Sequence, residues 1–330
     1  MHPEEDRDTT DAIAVEDLRK SFDKFEALAG ISFHVRPGEL FGFLGPNGAG
    51  KTTTINILTG LARPDAGRVR IGGLDCTERP RAAQRLIGVV PDESNLYPEL
   101  TGFENLCFCA ALYGLAGRER ETRARELLET FGLAQAADRK FAVYSKGMKR
   151  KLTIAAGIIH RPGILFLDEP TTGIDVAGAR QLRQMIQELH QAGITIFLTT
   201  HYIEEAERLC GRIAFIVSGR IVRIDKVEDL LQPVKDKHVV QIACANAPDN
   251  IRGELSGAFP GLGFTNTGQG LIRVEAGEPV RVGPLVRFLE DRGAEVSEAR
   301  RMRPSLEDVF VRITGVEADA MRKEKAGGGR

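Results

Sequence analysis

The chain is 330 residues long, 42% apolar and 28% charged, with a formal net charge of -1. That length fits one large domain and a smaller one, with ample apolar material for a core. The charge balance excludes a general attraction to nucleic acid or to an anionic membrane, so no nucleic acid is expected and any charged partner has to be met locally.

No apolar run approaches the roughly eighteen residues of a membrane span. Residues 1–11 are acidic and polar, unlike a signal peptide, and residues 1–12 read as a flexible start. The five cysteines, Cys76, Cys107, Cys109, Cys210 and Cys244, are an odd, scattered set that suits a reducing cytosol better than a disulfide framework. Cys107 and Cys109 stand two apart on a helical pattern and point different ways, so core packing explains them more simply than a zinc site.

From residue 13 to about residue 225 short β-branched runs alternate with longer amphipathic ones, an α/β signature. The apolar run 39–44 reads as a buried strand and 53–58 as the start of a helix. Between them Gly45, Pro46, Asn47, Gly48, Ala49, Gly50, Lys51 and Thr52 match Gly-x-x-x-x-Gly-Lys-[Ser/Thr], a phosphate-binding loop in its required strand–loop–helix setting. Glycines let successive N–H groups turn toward an anion, the helix N-terminus adds partial positive charge, and Lys51 reaches the terminal phosphates. Thr52 is placed to ligate magnesium. Residues 96–152 are mostly helical in pattern and read as an inserted helical subdomain.

Residues 164–167 read as a buried parallel strand ending in Asp168 and Glu169. With Lys51 in the chain, Asp168 is the expected magnesium partner, acting through water, and Glu169 a general base for an attacking water. Without Lys51, a loop-surface or capping role accounts for the acidic pair equally well. Residues 177–191 have helical spacing, and 194–198 form another buried strand followed by Thr199, Thr200 and His201. His201 ends at the same sheet edge and could donate to a γ-phosphate oxygen, or it could simply neighbour the cap of the helix 203–210. Residues 213–217 and 220–224, joined by Ser218 and Gly219, predict a hairpin.

A linker is expected near Gln232, Pro233 and Val234. Beyond it, residues 238–243 and 271–274 read as partner strands separated by a Gly/Pro-rich loop, 282–292 as a helix and 294–299 as a third strand. A last helix, 305–313, has Ser305 as its cap and Asp308 in its first turn. Its 3–4 spaced stripe of Leu306, Val309, Phe310 and Ile313 reads as core of this small α+β domain. The Lys/Arg- and Gly-rich stretch 316–330 reads as a disordered tail.

Together these residues resemble the ATP-binding subunit of an ATP-binding cassette (ABC) transporter over residues 13–225. In that resemblance Phe22 is the aromatic that stacks adenine, and Gly45 to Thr53 form Walker A, with Thr53 also on the phosphates. Tyr144, Ser145, Lys146, Gly147 and Met148 form the signature segment, and residues 164–169 form Walker B. Thr172, Gly173, Ile174 and Asp175 form the D-loop, and His201 is the switch histidine. The implied fold is a P-loop NTPase cassette over 13–232, with a mixed sheet core, an N-terminal antiparallel β subdomain and a helical insertion, plus a small α+β domain over 235–315.

The resemblance implies ATP and Mg2+ as cofactors and ATP hydrolysis as the activity, with Glu169 and His201 catalytic. It also implies a head-to-tail dimer with a second copy of the cassette, so that Ser145 and the Gly147 amide face the nucleotide held by the other subunit. Ser145 also reads as an ordinary helix N-cap, and the two roles share one geometry. An integral membrane permease is the second implied partner, which puts the chain in the cytoplasm, peripheral on the inner face of the cell membrane.

Two positions depart from the family pattern. Asp92 stands where glutamine is usual; its carboxylate can bind magnesium-bound water but has no amide hydrogen to donate. Lys146 replaces a glycine of the signature, a variant common in exporter-type cassettes. The segment 304–315 is similar to the closing segment of cassettes that serve drug-, polysaccharide- or ion-export permeases. The apolar and aromatic residues Leu96, Tyr97, Leu100, Phe103, Leu106 and Phe108 offer either core or a groove for the permease's short helices. A soluble ABC ATPase acting on translation or DNA is the alternative; neither a second cassette nor a long coiled-coil insertion is visible.

Overall fold

A computed structural model describes residues 11–235, 238–248, 250–266, 270–302 and 305–315. Most of the expected flexible start and the whole tail 316–330 lie outside these residues. The chain divides into two compact units, one running to Val227 and the other spanning Glu228–Arg312.

The first unit opens with β1 (Ile13–Phe22) and β2 (Phe25–Val35), then β3 (Leu40–Leu44) and α1 (Lys51–Leu58). It continues through β4 (Ala66–Ile71), β5 (Leu74–Asp75), α2 (Pro80–Arg85) and β6 (Ile87–Val90). The helical insertion holds α3 (Gly102–Leu112), α4 (Gly117–Thr130) and α5 (Lys146–Gly157). After it come β7 (Ile164–Asp168), α6 (Val176–Gln191), β8 (Thr195–Thr200), α7 (Ile203–Leu209), β9 (Arg212–Val217) and β10 (Arg220–Lys226).

Two sheets result. An antiparallel one has the order β2-β1-β4-β5, and a six-stranded one the order β10-β9-β3-β8-β7-β6. In the second, β9, β3, β8, β7 and β6 run parallel and only β10 is antiparallel. β3, β7 and β8 are buried at every residue, as continuous apolar strands covered on both faces must be. The alternating strands β1 and β2 turn Ile13, Val15, Leu18, Leu28, Ile31 and Phe33 inward, where they share one core with Phe41, Phe43, Phe166 and Phe197. Phe33 lies 5.5–5.8 Å, ring centre to ring centre, from Phe41, Phe43 and Phe197. Burying each such ring contributes about 1.5–3 kcal/mol, which locks β3, the strand that feeds the phosphate loop.

The predicted hairpin is β9–β10, and its turn places Ser218 at φ 48° and Gly219 at φ 73°, the left-handed pair that matches strand twist. In the insertion, Thr101 caps α3 in a reciprocal box: its hydroxyl accepts from Glu104 N at 3.1 Å while Glu104 accepts from Thr101 N at 2.8 Å.

The expected linker at Gln232, Pro233 and Val234 is not extended: it falls within α8 (Val227–Lys235). The amphipathic run before Pro233 carries the helix, and a proline two residues from the end disturbs only its last turn.

The second unit runs β11 (His238–Ala245), α9 (Ile251–Ala258), β12 (Gly263–Asn266), β13 (Leu271–Ala276), α10 (Val282–Glu290) and β14 (Glu295–Met302), closed by α11 (Leu306–Thr314). Its sheet is antiparallel in the order β12-β13-β11-β14, the split β-α-β ferredoxin-like arrangement. The Gly/Pro-rich stretch read as loop holds both α9 and β12; Ile251, Leu255 and Phe264 from it enter the core. Three glycines in residues 253–261 weakened the helical signal there. Ser305 caps α11: its hydroxyl accepts from Asp308 N at 3.4 Å, while its own N–H donates to Asp308 Oδ2 at 3.0 Å. The buried stripe is Leu306, Val309 and Phe310, while Ile313 is exposed.

Candidate active site

Parallel strands end at one sheet edge, and the loops after β3, β7 and β8 meet there. The loop after β3 is shaped by its glycines. A Cβ on Gly45 would stand 2.1 Å from Ile216 O, and one on Gly50 would stand 2.7 Å from Ala27 O, so the backbone packs too closely for any side chain. Gly48, at φ 80°, has nothing within 4 Å of where a Cβ would point: its face of the loop is open. Asn47 is exposed, Ala49 buried and Pro46 between the two.

Lys51 opens α1 and is only 6% exposed. Its ammonium donates to Gly45 O at 2.7 Å and Pro46 O at 3.3 Å, and pairs with Glu169 Oε1 at 3.3 Å. A buried cation needs such partners. Thr52 Oγ1 donates to Asp168 Oδ2 at 3.2 Å, and Thr199 Oγ1 donates to Asp168 Oδ1. Both oxygens of Asp168 therefore have a threonine hydroxyl as partner. Burial pushes this carboxyl above its ordinary value, opposed by the Thr199 hydroxyl and raised further by the charge of Glu169.

Glu169 follows β7 at φ 48°, a left-handed backbone that costs a glutamate about 1–3 kcal/mol. Its Oε2 accepts from His201 Nδ1 at 2.8 Å and from Thr172 Oγ1 at 3.4 Å. Its Oε1 faces the Lys51 ammonium at 3.3 Å. Burial raises this carboxyl, but the His201 hydrogen bond and the Lys51 charge outweigh it and hold the group below its ordinary value. Glu169 is therefore ionised, and His201 Nδ1 carries the proton of their hydrogen bond.

The other expected residues fall as follows. Thr53 is half-buried in α1. Phe22 is 52% exposed at the end of β1, with the Lys20 ammonium 5.3 Å from its ring centre. Ser145 caps α5, accepting from Met148 N at 3.3 Å, and is exposed. Gly147 has nothing within 4 Å of where a Cβ would point. The signature turn therefore lies on the surface of its own subunit. Asp92 is half-exposed and pairs with Arg150 at 3.5 Å; burial is the main cause that raises its carboxyl, against the Arg150 charge.

Sequence reasoning missed Arg150 and the Thr199 hydroxyl. Arg150 sits in a run of basic residues that looks solvent-exposed, yet it is 6% exposed. Its signal was helical phase: five residues beyond the Ser145 cap, it shares a helix face with the buried Ile154.

The site has chemistry suited to both implied cofactors. An open glycine face, a helix N-terminus and a buried lysine suit a triphosphate. A threonine hydroxyl beside a carboxylate supplies the few hard oxygen donors that magnesium takes from a protein when phosphates and water complete its shell.

A phosphate loop, an acidic strand end and a histidine at one sheet edge, with a helical insertion between the first two, define an ATP-hydrolysing cassette. A profile of the ABC transporter family matches residues 28–172. The chain is 37% identical over 318 residues to the daunorubicin resistance ATP-binding protein DrrA2 of Streptomyces coeruleorubidus, covering 96% of this chain and 98% of that protein. It is 40% identical over 314 residues to the Nod factor export ATP-binding protein I of Burkholderia thailandensis, covering 92% and 97%. Among solved structures, a dimeric post-hydrolysis cassette bound to ADP and Pi matches with a TM-score of 0.60 and 27% identity, over 65% of this chain and 98% of that one. The chain belongs to the ABC transporter family, as one of its ATP-hydrolysing subunits.

Proposed function

We propose that this chain powers export: two copies bind ATP between them, and the cycle of closure and hydrolysis drives a separately encoded membrane permease. The observation that carries the catalytic part is the buried Glu169 carboxylate, held by His201 on one oxygen and facing the Lys51 ammonium on the other. In the reaction a water proton goes to Glu169, the water oxygen bonds to the γ-phosphorus, and the bridging bond to the β-phosphate breaks to release ADP. Lys51 binds the phosphates, and in doing so gives up its contact with Glu169 Oε1, which frees that oxygen for water. His201 fixes the carboxylate and presents its other ring nitrogen to the γ-phosphate side. Thr52, with Asp168 and Asp92 acting through water, would hold a magnesium ion, which would screen the charge of the phosphates.

The exposed hydroxyl of Ser145 and the open amide at Gly147 cap the nucleotide of the opposing subunit in a head-to-tail pair. Phe22 offers an exposed face for adenine. Tyr97, Phe108, Leu112 and Tyr113 stay exposed around α3, with Tyr97 and Phe108 edge-to-face at 5.0 Å, and form the apolar surface for permease helices. Leu96 and Leu106 from the same stretch are core. No described helix is long and apolar enough to cross a membrane, so the permease supplies attachment to the inner face. Relatives named for drug resistance and for Nod factor export favour this reading over a role in translation or on DNA.

Steady-state turnover of Glu169→Gln tests the proposal. The expected result is ATP affinity within a few-fold of the parent and a turnover reduced at least ~100-fold. Undiminished turnover would contradict the general-base assignment.

A further inference from the structure

Arg150 lies on α5, the helix that Ser145 caps, and is 6% exposed. Its Nη1 donates to Pro91 O at 2.5 Å, and its Nη2 donates to Glu169 O at 2.8 Å and pairs with Asp92 Oδ1 at 3.5 Å. Three separate segments therefore converge on one guanidinium: the signature helix, the loop after β6, and the peptide of the general base. A planar fork with several fixed donors suits this, and an ammonium does not.

The Glu169 carbonyl belongs to the residue at φ 48°. A left-handed glutamate persists only where its surroundings hold it, and the Arg150 hydrogen bond is one of its restraints, with Glu169 N bonded to Thr199 O at 3.1 Å on the other side. A buried guanidinium also needs a counter-ion. Asp92 supplies it, at the position where glutamine is usual in the family and would bring no charge.

We propose that Arg150 is a positioning residue that clamps the Glu169 peptide to the loop at Pro91 and Asp92, so that movement of the signature helix is transmitted to the general base. Asp92 and Arg150 then work as one unit, and the aspartate is a matched replacement that keeps a buried cation neutralised. This rests on the reading of Glu169 as general base.

The test uses the full chain, with kcat and KM for ATP separated, affinity for a fluorescent ATP analogue, and thermal unfolding of each variant. Arg150→Met is expected to lower kcat about 100-fold while KM and analogue affinity stay within about threefold. Arg150→Lys keeps the charge but not the fork, and should recover no more than about a tenth of the parent kcat. Asp92→Gln, which restores the family residue, should lower kcat about tenfold in the parent and less than twofold in the Arg150→Met background, because neighbours that act together are not additive.

Parent-like kcat in Arg150→Met would overturn the proposal, as would equal factors for Asp92→Gln in the two backgrounds. If Arg150→Met does not fold, Arg150→Lys and Asp92→Gln decide: parent kcat in both overturns the clamp, and a kcat loss at unchanged analogue affinity supports it. A Glu169→Gln variant with parent turnover overturns the general-base reading itself. Inactive Glu169→Gln beside parent-like Arg150→Met removes only the clamp.

Discussion

Replacing Thr199 with valine keeps the volume and β-branching of a fully buried residue and deletes one hydroxyl. That hydroxyl donates to Asp168 Oδ1, so the substitution leaves a buried carboxylate with the Thr52 hydroxyl at 3.2 Å as its remaining side-chain donor. A hydrogen bond to a charged acceptor contributes about 1.5–3 kcal/mol, and no cavity cost is added. Glu169 N loses its 3.3 Å contact with the Thr199 hydroxyl but keeps the shorter bond to Thr199 O at 3.1 Å, which holds the Glu169 backbone in place. Denaturant unfolding should show a loss of about 1.5–3 kcal/mol at pH 7. Because Asp168 loses the group that orients it toward magnesium, the Mg2+ concentration for half-maximal ATPase should rise about tenfold, within the usual range for a group that orients a metal ligand. Unchanged stability together with unchanged Mg2+ dependence would refute the idea that Thr199 holds the metal-binding carboxylate.

Three further outcomes follow from the packing and the caps. A Cβ on Gly102 would stand 2.1 Å from the Tyr144 hydroxyl, which donates to Ala136 O at 2.6 Å; Gly102→Ala should cost about 2 kcal/mol, and adding Tyr144→Phe should recover at least half in urea melts. Ser145→Ala should cost about 1 kcal/mol through loss of its N-cap and also weaken ATP-driven self-association, whereas a purely local cap would leave association unchanged. Burial pushes the Cys76 and Cys109 thiols up to about 11 and Cys210 well above its ordinary value. Cys210 is buried and Cys76 and Cys109 are half-buried; at pH 8 a thiol near 11 is only ~0.1% thiolate, so mass spectrometry should show all three reacting with iodoacetamide far more slowly in the native chain than after denaturation, and rapid native labelling of Cys109 would contradict its raised pKa.

The site was legible where chemistry constrains backbone and side chain together. Gly45, Gly50 and Lys51 are fixed by close approach and charge, and a strand that ends in Asp168 and Glu169 can only deliver them to the edge where that loop lies. In the first unit β3, β7 and β8 were legible from their apolar runs because a doubly covered parallel sheet needs no alternation; the strands of the antiparallel sheet β2-β1-β4-β5 were not read one by one. Arg150 and Thr199 were not, since their roles come from contacts across 19 and 31 residues of chain that no local pattern encodes. In the second unit, glycines at 253, 257 and 261 obscured α9, although Ile251 and Leu255 kept the four-residue spacing that buries them together. Pro233 suggested a break, yet near the end of α8 it removes little hydrogen bonding.

Measuring the solution mass of the Glu169→Gln chain by light scattering, with and without Mg-ATP, tests the central claim most directly: that two copies close on nucleotide held between the Lys51 loop of one and the Ser145 turn of the other. The account predicts a mass that doubles when Mg-ATP is added and reverts when Ser145→Arg is introduced into the same chain. A single-chain mass at saturating Mg-ATP, or a dimer indifferent to both nucleotide and Ser145, would contradict it.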